Sequence, residues 1–228
     1  MSAIVSSSHR LLRRTPTPTP TRATVHRCGR AGMPMRDSER RSDMTHHEHD
    51  LALAGKRAAV AVGPLYEEIE ALYPLYRLRE AGATVEVIGS EADTTLPGKR
   101  GDEITTERAA GDLSADDLDI LVIAGGYAPD KLRMDEGLRA LVRALDEQGK
   151  PIAFICHAGW VMASAGVVAD RRVTGNPAIE DDMRNAGARW EDAEVVVDGH
   201  LISSRNPDDL PAFMRTTIEV AARAPVAA

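Results

Sequence analysis

The chain has 228 residues, of which 43% are hydrophobic and 4% aromatic, and a formal charge of −7. That is enough apolar material for one domain of about 150–200 residues plus an extension, and too little aromatic surface for a platform that stacks bases or sugars. The charge is uneven. Residues 1–43 carry nine Arg against Asp37, Glu39 and Asp43, which leaves the rest of the chain at −13 and argues against nucleic acid as a partner.

No run approaches about 18 consecutive apolar residues, so no membrane-spanning segment and no membrane partner are expected. The two cysteines, Cys28 and Cys156, lie far apart in unlike contexts and do not make a disulfide scaffold. The expectation is a cytoplasmic protein.

Residues 1–54 read as a disordered extension. Thr and Pro alternate from Thr15 to Thr21, arginines are scattered and no apolar periodicity appears, so the segment cannot repay the entropy of ordering. Its Arg- and Ser-bearing composition is that of a transit peptide, although Met33, Met35 and Met44 offer later starts and a dispensable segment is the plainer reading. His46, His47 and His49 with Glu48 resemble an incidental surface chelator without the supporting shell of a real metal site. Cys28 reads as inert, and no metal or cofactor is implied.

From residue 55 to residue 224 the pattern changes. Ala58–Val62 is a buried strand ending at Gly63. Glu67–Ala81 follows as a helix with Ile69, Leu72, Leu75, Tyr76 and Leu78 at helical spacing. Thr84–Ile88 is a second strand, and the polar, β-prone stretch Lys99–Glu107 a hairpin excursion. Asp119–Ala124 is an apolar strand running into Gly125 and Gly126. Asp135–Gln148 is a helix, Pro151–Ile155 another buried strand, and Ala158–Ala165 a helix that follows at once. A helix Ile179–Asn185, a hairpin Val195–Ile202 with Asp198-Gly199 at its turn, and a helix Leu210–Ala222 complete the domain; residues 225–228 are a tail.

Strands apolar on both faces that alternate with helices imply a mostly parallel sheet covered on both sides, an α/β sandwich. Such sheets place ligands beyond the carboxyl ends of their strands. Glu67, Gly125-Gly126 and Cys156-His157 all fall there.

Cys156 lies where a buried strand turns straight into a helix, the arrangement of a nucleophile elbow. Free cysteine is among the most buried residue types, but the position and the adjacent His157 favour a reactive thiol. First-turn amides and the helix dipole are expected to lower its pKa, with His157 as base or imidazolium partner. Gly125 and Gly126 lack the spacing of a phosphate loop and read as backbone donors for an oxyanion, with Ala158 beside them. Among Glu67, Glu68 and Glu70, the last two read as acids serving the helix dipole. Glu67 is assigned to the thiol, with a raised pKa of its own.

Several motifs resemble the PfpI intracellular protease family, within the superfamily of the Parkinson-associated deglycase. They are Tyr66–Leu78, Ala124–Asp130, Ile155–Trp160, Ala178–Met183, Asp192–Gly199 and Ser203–Arg205, and the resemblance spans about residues 56 to 222. It implies a flavodoxin-like fold, an elbow cysteine at Cys156 and a glutamate of the first helix bonded to it, here Glu67. It also implies a homo-oligomer in which His157 meets an acid from a neighbouring subunit. The matching position is Asp130, where the family pattern carries Glu, and the usual His-Gly-Pro is His157-Ala158-Gly159. Glutamine amidotransferases share the elbow but need a later His-x-Glu, which His200-Leu201-Ile202 does not supply.

The implied activities are deglycation of glyoxal and methylglyoxal adducts on proteins and a glyoxalase-type conversion of the free dicarbonyls. The alternative is an ATP-independent cysteine peptidase. A third reading is a non-catalytic redox sensor or chaperone using Cys156.

Overall fold

The structure is a computed structural model that describes residues 51–225. The chelator-like histidines and Cys28 lie outside the described residues. Leu53, which the sequence reading puts in the extension, is fully buried and donates its N–H to Ala81 O at 2.8 Å. The packed chain therefore starts slightly before residue 55.

A seven-stranded sheet runs in the order β10-β11-β7-β6-β1-β2-β5. Its strands are β1 (Arg57–Ala61), β2 (Thr84–Gly89), β5 (Arg108–Ala109), β6 (Ile120–Ile123), β7 (Ile152–Ile155), β10 (Val195–Asp198) and β11 (Leu201–Ser204). Every pairing is parallel except β10 with β11, the hairpin at one edge. Ile120–Ile123 and Ile152–Ile155 are buried at every position. Their unbroken apolar runs therefore fit central strands rather than one-sided ones. This is a flavodoxin-like α/β fold.

The helices are α1 (Glu68–Glu80), α2 (Ala128–Leu132), α3 (Glu136–Glu147), α4 (Gly159–Ala165), α5 (Glu180–Asn185) and α6 (Leu210–Arg223). Helix α3 begins where Asp135 accepts hydrogen bonds from Gly137 N and Leu138 N, satisfying two orphan amides of the first turn. Its Leu138, Leu141, Val142 and Leu145 are buried, the apolar stripe expected from their spacing. Helix α4 ends on Gly166 at φ +80°, a left-handed cap that glycine adopts without penalty.

Two small pairs lie outside the main sheet. Strands β3 (Thr95–Pro97) and β4 (Glu103–Thr105) form an antiparallel hairpin whose turn carries Lys99 and Arg100. The excursion thus starts before the expected Lys99–Glu107 span, because Thr95 and Leu96 supply its first strand. Strands β8 (Arg172–Val173) and β9 (Arg189–Trp190) pair in parallel. They and α2 are too short to show periodicity in the sequence. Among the described residues, no helix is long and apolar enough to cross a membrane.

Phe154 is fully buried on β7, between Ile123 of β6 and Ser203 of β11. Phe154→Ala should lower the unfolding free energy by about 3–5 kcal/mol, read from urea denaturation. A loss under about 1 kcal/mol would mean that the centre of this sheet is not close-packed.

Candidate active site

Cys156 is built as an elbow. Ile155 leaves β7 extended, at φ −129° and ψ 150°. Cys156 then has φ +62°, and one 3-10 turn, Cys156–Ala158, leads into α4. A non-glycine residue pays roughly 1–2 kcal/mol for left-handed backbone. Two contacts hold this one in place. Ile155 is locked into a fully buried strand, and Asn176 N donates to Cys156 O at 3.0 Å.

The glutamate beside the thiol is Glu70, not Glu67. Glu70 is fully buried, accepts from Gly125 N at 3.0 Å and lies within hydrogen-bonding reach of the Cys156 thiol. Its Oε1 has no partner among the described residues, an arrangement that penalises the ionised form. Burial first, then repulsion from Glu67, raises its pKa to about 7. The sequence reading assigned Glu70 to the helix dipole. The helical turn decides otherwise: residue 67 caps α1 at its mouth, whereas residue 70 lies one turn deeper and faces β6 and β7.

Glu67 does line the same cleft but faces the hairpin. Its Oε2 accepts from Lys99 Nζ at 2.8 Å and its Oε1 lies 3.1 Å from Arg100 Nη2. Glu68 accepts from the Arg100 backbone N–H and packs under Gly98. The three glutamates therefore divide the work. Two fasten the hairpin turn and the third meets the sulfur.

The thiol pKa also departs from the sequence expectation. Burial and the Glu70 carboxyl push it up to about 12, while the Gly126 and His157 backbone N–H groups at the sulfur pull the other way. In the folded protein the proton stays between sulfur and carboxyl, because two negative charges this close in a dry site oppose one another.

His157 Nδ1 is 3.2 Å from Cys156 Sγ. Burial and the nearby Lys99 hold its pKa below the usual histidine value, so the neutral ring predominates at pH 7. The ring packs edge-on against Trp160, with centroids 5.2 Å apart.

Gly125 and Gly126 are required by close approach. A Cβ on Gly125 would strike Glu70 Oε2 and come within 2.6 Å of Cys156 Cβ. Gly126, at φ +80°, would strike Glu67 N and come within 2.7 Å of Leu65 O. The Gly125 N–H is spent on Glu70, so it is not the oxyanion donor expected of it; the Gly126 N–H faces the sulfur. Ala158 is fully buried in the turn behind it.

These groups surround a cleft of about 290 Å³ lined by Glu67, Glu70, Lys99, Gly126, Tyr127, Cys156, His157, Asn176 and Pro207. Lys99 Nζ also stands 5.3 Å from the Tyr127 ring centroid. Lys99, Tyr127, Asn176 and Pro207 were missed in the sequence. Lys99 read as a hairpin turn, and Asn176-Pro177 carries only a capping signal.

Asp130 is not in this cleft. It is exposed on α2, 3.5 Å from Lys131 Nζ. It borders a second hollow of about 360 Å³ with Pro64, Leu65, Tyr127, Lys131 and Trp160. Tyr127 lines both hollows.

Residues 56–220 match the DJ-1/PfpI family. The chain belongs to the DJ-1/PfpI family. It is 41% identical to Deglycase TK1284 of Thermococcus kodakarensis over 155 residues, covering 68% of this chain and 93% of that one. It is 39% identical to Deglycase PfpI of Pyrococcus furiosus, with the same coverage. The structure of Drosophila melanogaster DJ-1beta superposes with a TM-score of 0.69 at 29% identity, covering 74% of this chain and 91% of that chain. The fold described above is thus shared with a solved DJ-1 structure.

The pair predicts a pH signature. Glu70 can take the thiol proton only as a carboxylate, so alkylation of Cys156 by iodoacetamide should rise with an inflection near pH 7. Glu70→Gln should remove that inflection and slow alkylation by about 100-fold. Glu67→Gln should keep an inflection but move it to lower pH, because the repulsion that helps raise the Glu70 pKa is gone. An inflection that follows Glu67 instead would reverse the assignment.

Proposed function

We propose that this DJ-1/PfpI protein is a cysteine-dependent deglycase with glyoxalase-type activity, acting in the cytoplasm on glyoxal, methylglyoxal and their adducts with amino groups. The observation that carries this is the Cys156–Glu70 pair, a nucleophile on left-handed backbone against an acid with a pKa of about 7. The names of the relatives point the same way. The cleft, about 290 Å³, suits a substrate of a few heavy atoms better than a polypeptide groove.

The chemistry follows from the pair. Sγ attacks the aldehyde carbon; the S–C bond forms, the carbonyl π electrons move to oxygen, and the thiol proton passes to Glu70. The Gly126 and His157 N–H groups hold the oxyanion, and Glu70 returns the proton to it, giving a hemithioacetal. The proton on that carbon then moves to the adjacent carbonyl carbon through an enediol, which leaves a thioester. Water hydrolyses the thioester to the 2-hydroxy acid and restores the thiol. The sum is dicarbonyl plus one water, so no outside oxidant is required. On an amine adduct, the thiol proton travels through Glu70 to the departing nitrogen as the S–C bond forms and the C–N bond breaks.

Homo-oligomerisation completes the reading. The hollow beside Asp130 is rimmed by Leu65 and Tyr127, which are 46% and 65% exposed, an apolar rim suited to a second copy. In such an assembly Asp130 would approach the neighbouring subunit's His157. Asp is one methylene shorter than the family's Glu, so this contact matters most for peptide hydrolysis and least for addition of the thiol.

Steady-state consumption of methylglyoxal by the full chain should run through many turnovers and vanish in Cys156→Ala. A fluorogenic peptide measured in parallel is expected to give little signal. Peptide cleavage without dicarbonyl turnover would make the protein a peptidase, and neither activity would leave a redox-sensing thiol. Mixing Cys156→Ala with Asp130→Ala subunits tests the shared site. Activity independent of the mixing ratio, in every combination with intact Cys156, would rule out a role for Asp130 across an interface.

A further inference from the structure

Asn176 has an orientation fixed by the backbone that follows it. Its Oδ1 accepts from Ala178 N at 3.0 Å, capping the 3-10 turn Pro177–Ile179. With the oxygen so engaged, the amide nitrogen must be the atom on the other side. That side faces the nucleophile, with Nδ2 3.8 Å from Cys156 Sγ. Asn176 N also donates to Cys156 O, so the same residue fixes the elbow backbone and aims a donor at its sulfur. The side chain is half-buried and lines the cleft.

We propose that Asn176 is a catalytic residue, its side-chain amide donating to the sulfur and then to the substrate oxygen that becomes an alkoxide when Cys156 adds to a carbonyl. The inference rests on the thiol-addition chemistry proposed above and deepens it. As the S–C bond forms, negative charge leaves sulfur and the π pair settles on oxygen, one bond from the carbon now attached to Sγ. A donor that reaches sulfur in the free protein reaches that oxygen after a shift of a bond length. Gly126 and His157 supply backbone N–H groups to the sulfur, and Asn176 supplies a neutral N–H from the segment after β8. The substrate class this favours has a second oxygen next to the attacked carbonyl, as 1,2-dicarbonyls do, because one donor set can serve the oxyanion while another holds the neighbouring oxygen.

Asn176→Ala and Asn176→Asp separate donation from capping. Asp retains an oxygen for Ala178 N and is a good cap, but offers no N–H and adds a like charge next to the developing anion. Both variants should lower kcat on methylglyoxal by about 10- to 100-fold with little change in KM, and Asn176→Asp should keep the wild-type melting temperature. Iodoacetamide alkylation of Cys156 below pH 9 should slow in Asn176→Ala and slow further in Asn176→Asp. Asn176→Asp restoring wild-type kcat and alkylation would reduce the residue to a cap and overturn the proposal, as would an unchanged kcat in Asn176→Ala. If the wild-type protein does not turn over methylglyoxal, the deglycase reading fails, and the alkylation rates alone then decide whether Asn176 donates to the sulfur.

Discussion

A non-glycine residue keeps a left-handed backbone only where its surroundings over-determine it, and at Cys156 they do so from both sides. The sheet delivers Ile155 in extended form from a strand with no exposed residue. The segment after β8 returns over the elbow, with Thr174 N bonded to Ser203 Oγ at 2.9 Å and Asn176 N to Cys156 O. Gly175 has no side chain for a reason: a Cβ there would lie 3.1 Å from Cys156 O. The strain at one residue is thus carried by two adjacent strands, β7 and β11, whose parallel register sets Ser204 against Ile155.

Placing the sulfur at the strand end gives the rest of the site its layout. Residues 65–67 run between the Gly98 and Gly126 backbones, with Leu65 N on Pro97 O at 2.7 Å, Lys99 N on Tyr66 O at 3.0 Å and Tyr127 N on Leu65 O at 2.9 Å. Through this short bridge the hairpin turn, the first helix and the glycine pair move as one unit. Its two glycines serve that backbone contact and the approach of Glu70, which is a stricter demand than a turn alone would make. A buried carboxyl with one oxygen on Gly125 N and the other unpartnered is costly as a stability element. That cost is understandable where the group must gain and lose a proton.

The architecture was legible because long elements carry their own periodicity. β1, β2, β6 and β7 read as apolar runs, and α3 as a stripe opened by Asp135. The stripe expected on α1 holds only in part, since Leu75 and Leu78 are buried but Ile69 and Tyr76 are exposed and Glu70, Ala71 and Pro74 take the inner face instead. Cys156 and His157 were legible from the abrupt strand-to-helix change. The choice between Glu67 and Glu70 was not, because both stand in one helical turn and a sequence does not say which of them faces the sheet. The direction of the thiol pKa was missed for a related reason. The helix dipole belongs to the local sequence, but desolvation and the Glu70 charge come from β6 and α1, more than 30 residues away in the chain. Asn176 and Lys99 reach the cleft from short or irregular segments, where no repeat marks a face.

A thiol activated by a helix end, as the strand-to-helix position implies, would store a thiolate ready for attack. The structure instead holds a neutral thiol against an acid of near-neutral pKa, with two backbone N–H groups aimed at the sulfur. Such a pair leaves the resting sulfur weakly nucleophilic and generates the thiolate only as the proton crosses to Glu70. A stored thiolate would be consumed by any electrophile or oxidant that reached the cleft. A thiol that ionises only as it attacks is better protected, and its reactivity is tied to substrates whose developing oxyanion the surrounding donors can meet. Selectivity for a small carbonyl then comes from the same few groups that keep the sulfur protonated at rest.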